Sequence, residues 1–272
     1  MVHGSPLNAP VITLGEKKSL FGEKAQANEY VSYALYYWPD PANPDGPYKP
    51  IDGKKNKRLR SMDDSGRMAA FISTVCSLGR QYELDRDPQA ASRAGQWLKA
   101  WFIAPATRMQ PHLKYAQIRP GHRTEGDGGG IIDLYRMPEF LEALTALKCS
   151  NALTAEEWKQ VDAWLNQYYT WLTTSRQGRH AHTRSNNHYL FYVALMRPFG
   201  ILTWAASHEA AQWRGGSLRQ HGPTHRSRRI PSPKNLKRAE PWQYSVYTLQ
   251  AWGYLVQSCR TSWATRTTVT GK

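Results

Sequence analysis

Two consecutive residues, Asn187 and His188, offer an amide and an imidazole from neighbouring positions of the chain. Both groups can donate hydrogen bonds to a carboxylate and stabilise negative charge that develops beside it. Tyr244 is a candidate for proton transfer, because a helix beginning near Pro241 would place its phenol close to the positive end of the helix dipole. Arg238 lies just upstream, and its positive charge also lowers the pKa of a nearby phenol. Together these residues could stabilise an anion and move a proton next to it.

Each of these residues also has an ordinary structural interpretation. An Asn-His pair is commonly a helix cap or a surface pair, a helical tyrosine commonly packs in a core, and an arginine in a basic stretch is commonly solvated. His180, His182 and His188 include the His-x-His spacing of some metal sites, but no acidic cluster accompanies them, so we expect no metal. The glycines of GHRTEGDGGG (121–130) lack the Lys-Ser/Thr of a phosphate-binding loop. We therefore expect no nucleotide phosphate site there.

The composition is that of a globular protein with an excess of positive charge. The 272 residues contain 36 Lys and Arg against 21 Asp and Glu, for a net charge of +15. This length allows one large domain or two small ones, each able to bury a core. A positive field attracts nucleic acid, anionic lipid or acidic polysaccharide, and charge alone does not choose among them. The 11 Trp and 15 Tyr suit both sugar faces and bases, although core packing explains most of them.

Other classes of protein are argued against by what the chain lacks. No stretch approaches the roughly 20 apolar residues of a membrane-spanning helix, and the first residues do not have the layout of a signal peptide. No recognised nucleic-acid-binding motif is present. Cys76, Cys149 and Cys259 are too scattered for a disulfide framework or a zinc site, so we expect three buried thiols.

Helical periodicity dominates from about residue 63 onward. Apolar residues on one face predict a helix over 66–84, and the Asp87-Pro88 start predicts a second over 89–103, packed antiparallel against the first. Further helix starts are indicated by Pro138, by the capping box Thr154–Glu157 and by Pro241. Strand alternation is scarce. The sequence therefore predicts an all-α fold of helix pairs, with no sheet of more than two or three strands.

Two irregular segments stand apart from this pattern. Residues 36–53 hold five prolines and several aromatic residues, which excludes a helix and favours a binding wall. Residues 205–235 are basic and have no apolar period, which predicts a disordered basic loop. A polyanion tether and a stretch translated out of frame are both open interpretations of this second segment.

Four segments together resemble the alginate lyase family of polysaccharide lyases. They are EYVSYALYYWPDPANPDGPY (29–48), WFIAPATRMQPHLKYAQ (101–117), GGIIDLYRMPEFLEAL (129–144), and SNNH (185–188) with LKRAEPWQYSVYTLQAW (236–252). The resemblance implies an incomplete (α/α) toroid of antiparallel helix hairpins over residues 29–257. Residues 1–28 would be an irregular N-terminal segment and residues 258–272 a tail. It also implies a lyase that cleaves alginate or a related polyuronate by β-elimination, without a cofactor, leaving a 4,5-unsaturated uronate.

The resemblance assigns roles to individual residues. The implied catalytic residues are Asn187, His188, Arg238 and Tyr244, and the implied substrate-binding residues are Trp38, Tyr37, Lys114, Tyr115 and Gln117. Elimination removes the C5 proton of a uronate, which is weakly acidic until its carboxylate is neutralised, and Asn187 and His188 suit that task. We therefore expect Asn187, His188 and Tyr244 to converge on one cleft. Trp38, Tyr115 and Gln117 would form its opposite wall, although each could instead be an ordinary packing or loop residue.

The family resemblance also implies a partner and a location. The partner is an acidic polysaccharide, with no nucleic acid and no membrane, and the location is periplasmic or secreted. The resemblance implies regular helices between His188 and Arg238, and the irregular basic segment predicts that these helices are damaged. A non-catalytic polyanion-binding protein, or an inactive lyase-like product, is therefore the alternative interpretation.

Overall fold

The computed structural model describes residues 5–184 and 186–204, together with 239, 242, 246, 249–251 and 253–254. The predictions on Arg238, Tyr244, Cys259 and the segments 205–235 and 258–272 lie outside the described residues. The helices are α1 (Lys57–Ser61), α2 (Ser65–Asp85), α3 (Pro88–Leu98), α4 (Met137–Lys148), α5 (Ala155–Thr174), α6 (Arg176–His182) and α7 (Asn187–Trp204). A π-helical turn, Lys99–Ile103, continues α3, and a 3-10 helix, Gly128–Leu134, precedes α4. The fold is helix-rich, as predicted.

Two of the predicted helix starts, those of α3 and α5, are confirmed by their caps. The Asp87 side chain accepts a hydrogen bond from the Gln89 N–H at 2.8 Å, and Pro88 occupies the first turn of α3. The Thr154 hydroxyl accepts from the Glu157 N–H at 3.2 Å, while the Glu157 carboxylate accepts from the Thr154 N–H at 2.9 Å. This reciprocal pair is the expected capping box, which satisfies two N–H groups at the start of α5.

Helices α2 and α3 form an antiparallel hairpin, and α4 packs beside it. Phe71, near the start of α2, stacks on Trp101, just beyond the end of α3, with ring centroids 4.4 Å apart, so α2 and α3 are antiparallel as predicted. By contrast α2 and α4 run parallel, because Arg136 at the start of α4 bonds Ser73 and the Tyr82 hydroxyl near the end of α2 bonds the Cys149 carbonyl. Helix α4 therefore runs antiparallel to α3.

Aromatic rings fill the centre where α2, the end of α3, α4 and α5 meet. Phe71 contacts Trp101 and Phe140, and Phe102 contacts Trp164 at a centroid distance of 4.5 Å. All five side chains are buried, and each large ring removes substantial apolar area from water. Burial of these rings, which come from four separate elements, holds those elements together.

The close approach of the loop before α5 to helix α3 requires a glycine in α3. A Cβ on Gly95 would lie 2.0 Å from the carbonyl oxygen of Ala152, well inside any tolerated contact. The neighbouring positions Ala90, Ala91 and Ala94 are also small and buried. This small-residue face lets the loop before α5 pack directly on the α3 backbone.

The N-terminal segment from residue 5 to residue 29 contains no helix or strand, yet it is bound to the helices. The Trp101 indole N–H donates to the Ile12 carbonyl at 2.8 Å, and the Arg67 guanidinium donates to the Thr13 carbonyl at 3.1 Å. Val11 and Ile12 pack against the aromatic centre. Helix side chains thus supply the partners that this extended backbone lacks.

Four short strands form two sheets, each of two strands within the described residues. Strand β1 (Val31–Tyr33) pairs in parallel with β4 (Tyr115–Ile118), and β2 (Tyr37–Trp38) pairs antiparallel with β3 (Lys49–Pro50). The small size of these sheets agrees with the prediction. The β1–β4 pairing was not predicted, because strands of three and four residues are too short to show alternation.

The prediction of buried thiols is wrong for Cys149. Its side chain is exposed, because it directly follows the last turn of α4 on the side facing solvent. Cys76 lies partly buried on α2, and burial raises the pKa of its thiol to about 12. Among the helices that the structure describes, none is long and apolar enough to span a bilayer.

Two aspartates join β1 to the start of α2. Asp64 is buried and accepts hydrogen bonds from the Gly15 and Val31 N–H groups and from the Lys17 ammonium. Asp63 accepts from the N–H groups of Ser65 and Tyr33. Burial raises the pKa of Asp63 to about 6, although these hydrogen bonds and the charge of Arg60 act to lower it.

Asp63→Asn is expected to change how stability depends on pH. The folded pKa of about 6 lies above an unfolded value of about 4, so the folded state binds more protons between these values. The Asp63 contribution to the free energy of unfolding is therefore present below about pH 4 and lost as the pH rises through 6. The variant should gain on the wild type across this window by about 3 kcal/mol. Urea unfolding at several pH values measures the difference, and parallel curves would contradict it.

Candidate active site

Helix α7 begins with Asn187 and His188, the amide and imidazole proposed to bind a carboxylate. Asn187 is its first residue and is 3% exposed, and His188 follows it, partly buried. The His188 N–H donates to the side-chain oxygen of Asn186 at 3.2 Å, so Asn186 supplies the hydrogen bond at this helix start. The local sequence therefore fixes both the amide and the imidazole on the first turn of a helix.

Three consecutive glycines lie beneath this turn. A Cβ on Gly128 would be 2.4 Å from the Ala181 nitrogen of α6, and one on Gly130 would be 2.4 Å from the Ala116 carbonyl of β4. At Gly129 the Cβ position lies 3.8 Å from Cε1 of His188. The glycine motif thus lets a strand, a helix and the His188 ring meet at one point, which is a packing role and not phosphate binding.

Asp127 fixes the start of this glycine segment. Its Oδ1 accepts the Gly129 N–H at 2.7 Å as the cap of the 3-10 helix, and also accepts from Arg184 at 3.2 Å. Its Oδ2 accepts from Arg119 at 2.7 Å. Burial acts to raise the pKa of Asp127, but the Gly129 hydrogen bond and the two arginine charges outweigh it and hold the pKa below its usual range. One carboxylate therefore holds two guanidinium groups.

The surface around Asp127 is positively charged. Arg119, Arg123 and Arg184 face a single acid there, and we call these three arginines the basic surface. Burial lowers the pKa of His180, and the charge of Arg184 acts in the same direction. His180 thus adds little charge at neutral pH, and the attraction for an anion comes from the arginines.

Residues 36–53, which we call the aromatic loop, reach the basic surface through one turn of the chain. Tyr37 packs edge-on against His122, with ring centroids 5.7 Å apart, and His122 lies in the turn that follows Arg119. The His122 ring also contacts the loop through its Nε2, which lies 2.7 Å from the Tyr48 carbonyl oxygen. Trp38 is held by its indole N–H, which donates to the Lys54 carbonyl at 2.9 Å. The structure therefore links the aromatic loop, the basic surface and the start of α7.

The remaining predicted binding residues lie on or beside β4. Tyr115 is largely buried, and the Lys114 ammonium lies 5.1 Å from the centre of its ring. Lys114 also pairs with Glu125 at 3.1 Å, and this hydrogen bond raises the pKa of the lysine. Glu125 in turn pairs with Arg176 at 3.3 Å, so these charges form a small ion-pair group beside the basic surface.

Gln117 has a left-handed backbone, with φ at 51°, which is uncommon for a residue with a side chain. Its N–H donates to the Ser32 hydroxyl and its side-chain amide donates to Asp133, both at 2.7 Å. Asp133 also accepts from the Tyr30 hydroxyl, and burial raises the pKa of this carboxyl. The amide N–H of Gln117 is thus bonded to the buried network, and a strained backbone held in this way is often found at functional sites.

The structure does not bring His180, His182 and His188 into one group. The His182 ring packs between Tyr189 and Tyr192, whereas His180 faces the Gly128 N–H, with Nδ1 3.4 Å away. In the part of the chain that the structure describes, no three His, Cys, Asp or Glu side chains are grouped as a metal site would require. The absence of a metal and of a cofactor stays a prediction.

Sequence reasoning missed Asp127, Arg119 and Arg184. The signal was present, because Asp127 immediately precedes the glycines, where a carboxylate can cap the start of a helix. Of the predicted residues, His188 lies beside the glycine segment, Asn187 directly precedes His188 in α7, and Tyr37 contacts His122 in the turn after Arg119. Arg238 and Tyr244 lie outside the described residues.

Two comparisons with known proteins find matches over most of this chain. A solved structure described as an alginate lyase from Bacteroides ovatus is similar over 94% of this chain and 67% of its own, with 26% sequence identity and a TM-score of 0.84. A search of curated proteins gives no significant match. The family model described as alginate lyase matches residues 13–264, nearly the whole chain, as the four sequence segments indicated. The protein therefore belongs to the alginate lyase family.

Proposed function

We propose that this protein is a polysaccharide lyase that cleaves alginate or a related polyuronate by β-elimination. The observation that carries the proposal is the position of His188 beside Gly129, next to a basic surface that continues into an aromatic loop. Such a surface suits an anionic sugar chain, because arginines attract its carboxylates and aromatic rings pack on its apolar faces. The product would carry a 4,5-unsaturated uronate at its new end.

The reaction divides among the residues by chemical type. Asn187 and His188 would hydrogen-bond the carboxylate of the sugar being cleaved and stabilise the enolate-like charge that forms when C5 loses its proton. Tyr244 would take that proton and protonate the departing O4, and Arg238 would lower the pKa of its phenol. This assignment requires neither a metal nor an organic cofactor.

Trp38, Tyr37, Lys114, Tyr115 and Gln117 would bind the sugars on either side. Tyr37 and Trp38 belong to a loop held by backbone and side-chain hydrogen bonds, so their rings are positioned before substrate arrives. Lys114 would add a charge for a neighbouring carboxylate. Burial of Tyr115 in β4 limits its direct contact to one edge of the ring.

The relative directions of α2, α3 and α4 support an incomplete (α/α) toroid. In such a fold consecutive helices are antiparallel, and alternate helices run parallel around a ring. The observed pairs α2–α3 and α2–α4 follow this rule. We also propose a periplasmic or secreted location, for which family membership is the support.

Incubation with alginate tests the function directly. A conjugated 4,5-unsaturated uronate absorbs in the ultraviolet, so absorbance that rises with time supports elimination, and a neutral glucan serves as the substrate control. Binding of alginate without any unsaturated product would instead favour the alternative, a non-catalytic polyanion-binding protein, for which the net charge of +15 is the supporting observation. Equal binding of double-stranded DNA would show attraction by charge alone.

His188→Ala is expected to lower kcat on alginate by about 100-fold, because it removes a donor to the developing negative charge. His182→Ala is the matched control, since its ring packs on Tyr189 and Tyr192 and not at Gly129. The control should keep kcat within about threefold of the wild type. Equal losses in the two variants would contradict the role given to His188.

A further inference from the structure

Arg184 is the described cation that lies closest to the start of α7 at the glycine segment. Its Nη2 is 3.7 Å from the Cβ position of Gly129, and Cε1 of His188 is 3.8 Å from the same point. The guanidinium and the imidazole therefore border one space beside Gly129, and Oδ1 of Asp127, 2.9 Å from the same point, forms its third side. Neither the sequence patterns nor the resemblance singled out this residue.

The guanidinium of Arg184 is only partly used by the protein. A guanidinium has five N–H donors, and within the described residues Arg184 spends one, from Nη2 to Asp127. Its Nε is buried with no hydrogen-bond partner. By comparison, Arg136 bonds Glu139 through Nε and Nη2 and Ser73 through Nη1. A buried donor without an acceptor is unfavourable, so Arg184 is poised to gain from an added anion.

Charge balance at Asp127 leads to the same conclusion. This carboxylate pairs with Arg119 through Oδ2 and with Arg184 through Oδ1, so two positive charges share one negative charge. The contact fixes where the Arg184 guanidinium lies without neutralising it. Its side chain is 26% exposed, against 11% for Asp127, so an incoming ligand meets the cation and not the acid.

We propose that Arg184 binds the carboxylate of the uronate being cleaved, next to His188, and so acts as a further substrate-binding residue. This inference rests on the proposed function. A planar guanidinium suits a carboxylate, because parallel N–H groups can donate to both oxygens. Arg184 would therefore help to select a uronate over a neutral sugar at the position of cleavage.

Arg184→Ala is expected to lower kcat/KM on alginate by about 10- to 100-fold, the size of a lost charged hydrogen bond. Low concentrations of free guanidinium should restore part of the turnover, because the added ion can fill the vacated site. Arg67→Ala is the matched control: it also loses one guanidinium hydrogen bond, 3.1 Å long, but to the Thr13 carbonyl in the N-terminal segment. The control should stay within about threefold of the wild type and show no rescue.

The outcomes separate this inference from the proposed function. A fall that is specific to Arg184→Ala and reversed by guanidinium supports it. Equal activity in the two variants, or a loss without rescue and with a lower melting temperature, overturns it while lyase function stands. If the wild type forms no unsaturated product, the function fails, and binding of alginate oligosaccharides decides the inference. A Kd at least about tenfold weaker for Arg184→Ala than for Arg67→Ala would support it, and equal Kd values would overturn it.

Discussion

Tyr244→Phe is expected to reduce lyase turnover by about a thousandfold or more while leaving the affinity for alginate within about twofold. The substitution deletes the transferable proton and almost no contact area, so it separates chemistry from binding. In the sequence Tyr244 follows Pro241 and the basic Arg238, and this position is the reason that Tyr244 is proposed as the proton-transfer group. Initial rates of unsaturated product and equilibrium binding of alginate oligosaccharides measure the two effects.

Tyr254→Phe is the matched control for this prediction. Tyr254 is buried and its hydroxyl donates to Glu139, so the same deletion removes a structural hydrogen bond. Its expected cost is in stability, about 1 kcal/mol, with turnover retained. Full lyase activity in Tyr244→Phe would show that another group transfers the proton, and the catalytic assignment would then be wrong.

Trp101→Ala should cause the largest loss of stability, about 3–5 kcal/mol in the free energy of unfolding. The side chain is 1% exposed, stacks on Phe71 at 4.4 Å and donates its indole N–H to the Ile12 carbonyl. Its removal therefore leaves a cavity at the aromatic centre and also releases the N-terminal segment. Urea unfolding followed by circular dichroism gives the free energy.

Trp242→Ala makes the same chemical change at a site that is 80% exposed. It should alter the free energy of unfolding by no more than about 0.5 kcal/mol. A comparable loss in both variants would mean that the aromatic centre does not carry the stability assigned to it.

Local sequence signals determined the helices. Asp87-Pro88 and the Thr154–Glu157 box specified two helix starts correctly, since a cap and the N–H groups it satisfies lie within a few residues of each other. Apolar spacing predicted α2 to within one residue at each end. Four ordered segments were also sufficient to identify the family, which the family model then confirmed.

Only the tertiary structure decided which charges meet. Asp127 lies far along the chain from Arg184, and no spacing rule relates them, yet they share one ion pair. The glycine motif became interpretable only when α6 and β4 were placed against it, because what requires glycine there is the backbone of other elements. The β1–β4 pairing joins residues 31–33 to 115–118, which are distant in the chain. Sequence alternation could not predict this contact, because both strands are too short to show it.

The sequence by itself determined the helix pairs, the family and the residue types able to stabilise an anion, because these depend on neighbours in the chain. The structure determined that His188 shares its surroundings with Arg184 and that Gln117 is bonded to Asp133. Distances between remote side chains depend on how whole helices pack. That packing is fixed by the burial of rings such as Phe71 and Trp101, contributed by separate helices and brought together only in the folded chain.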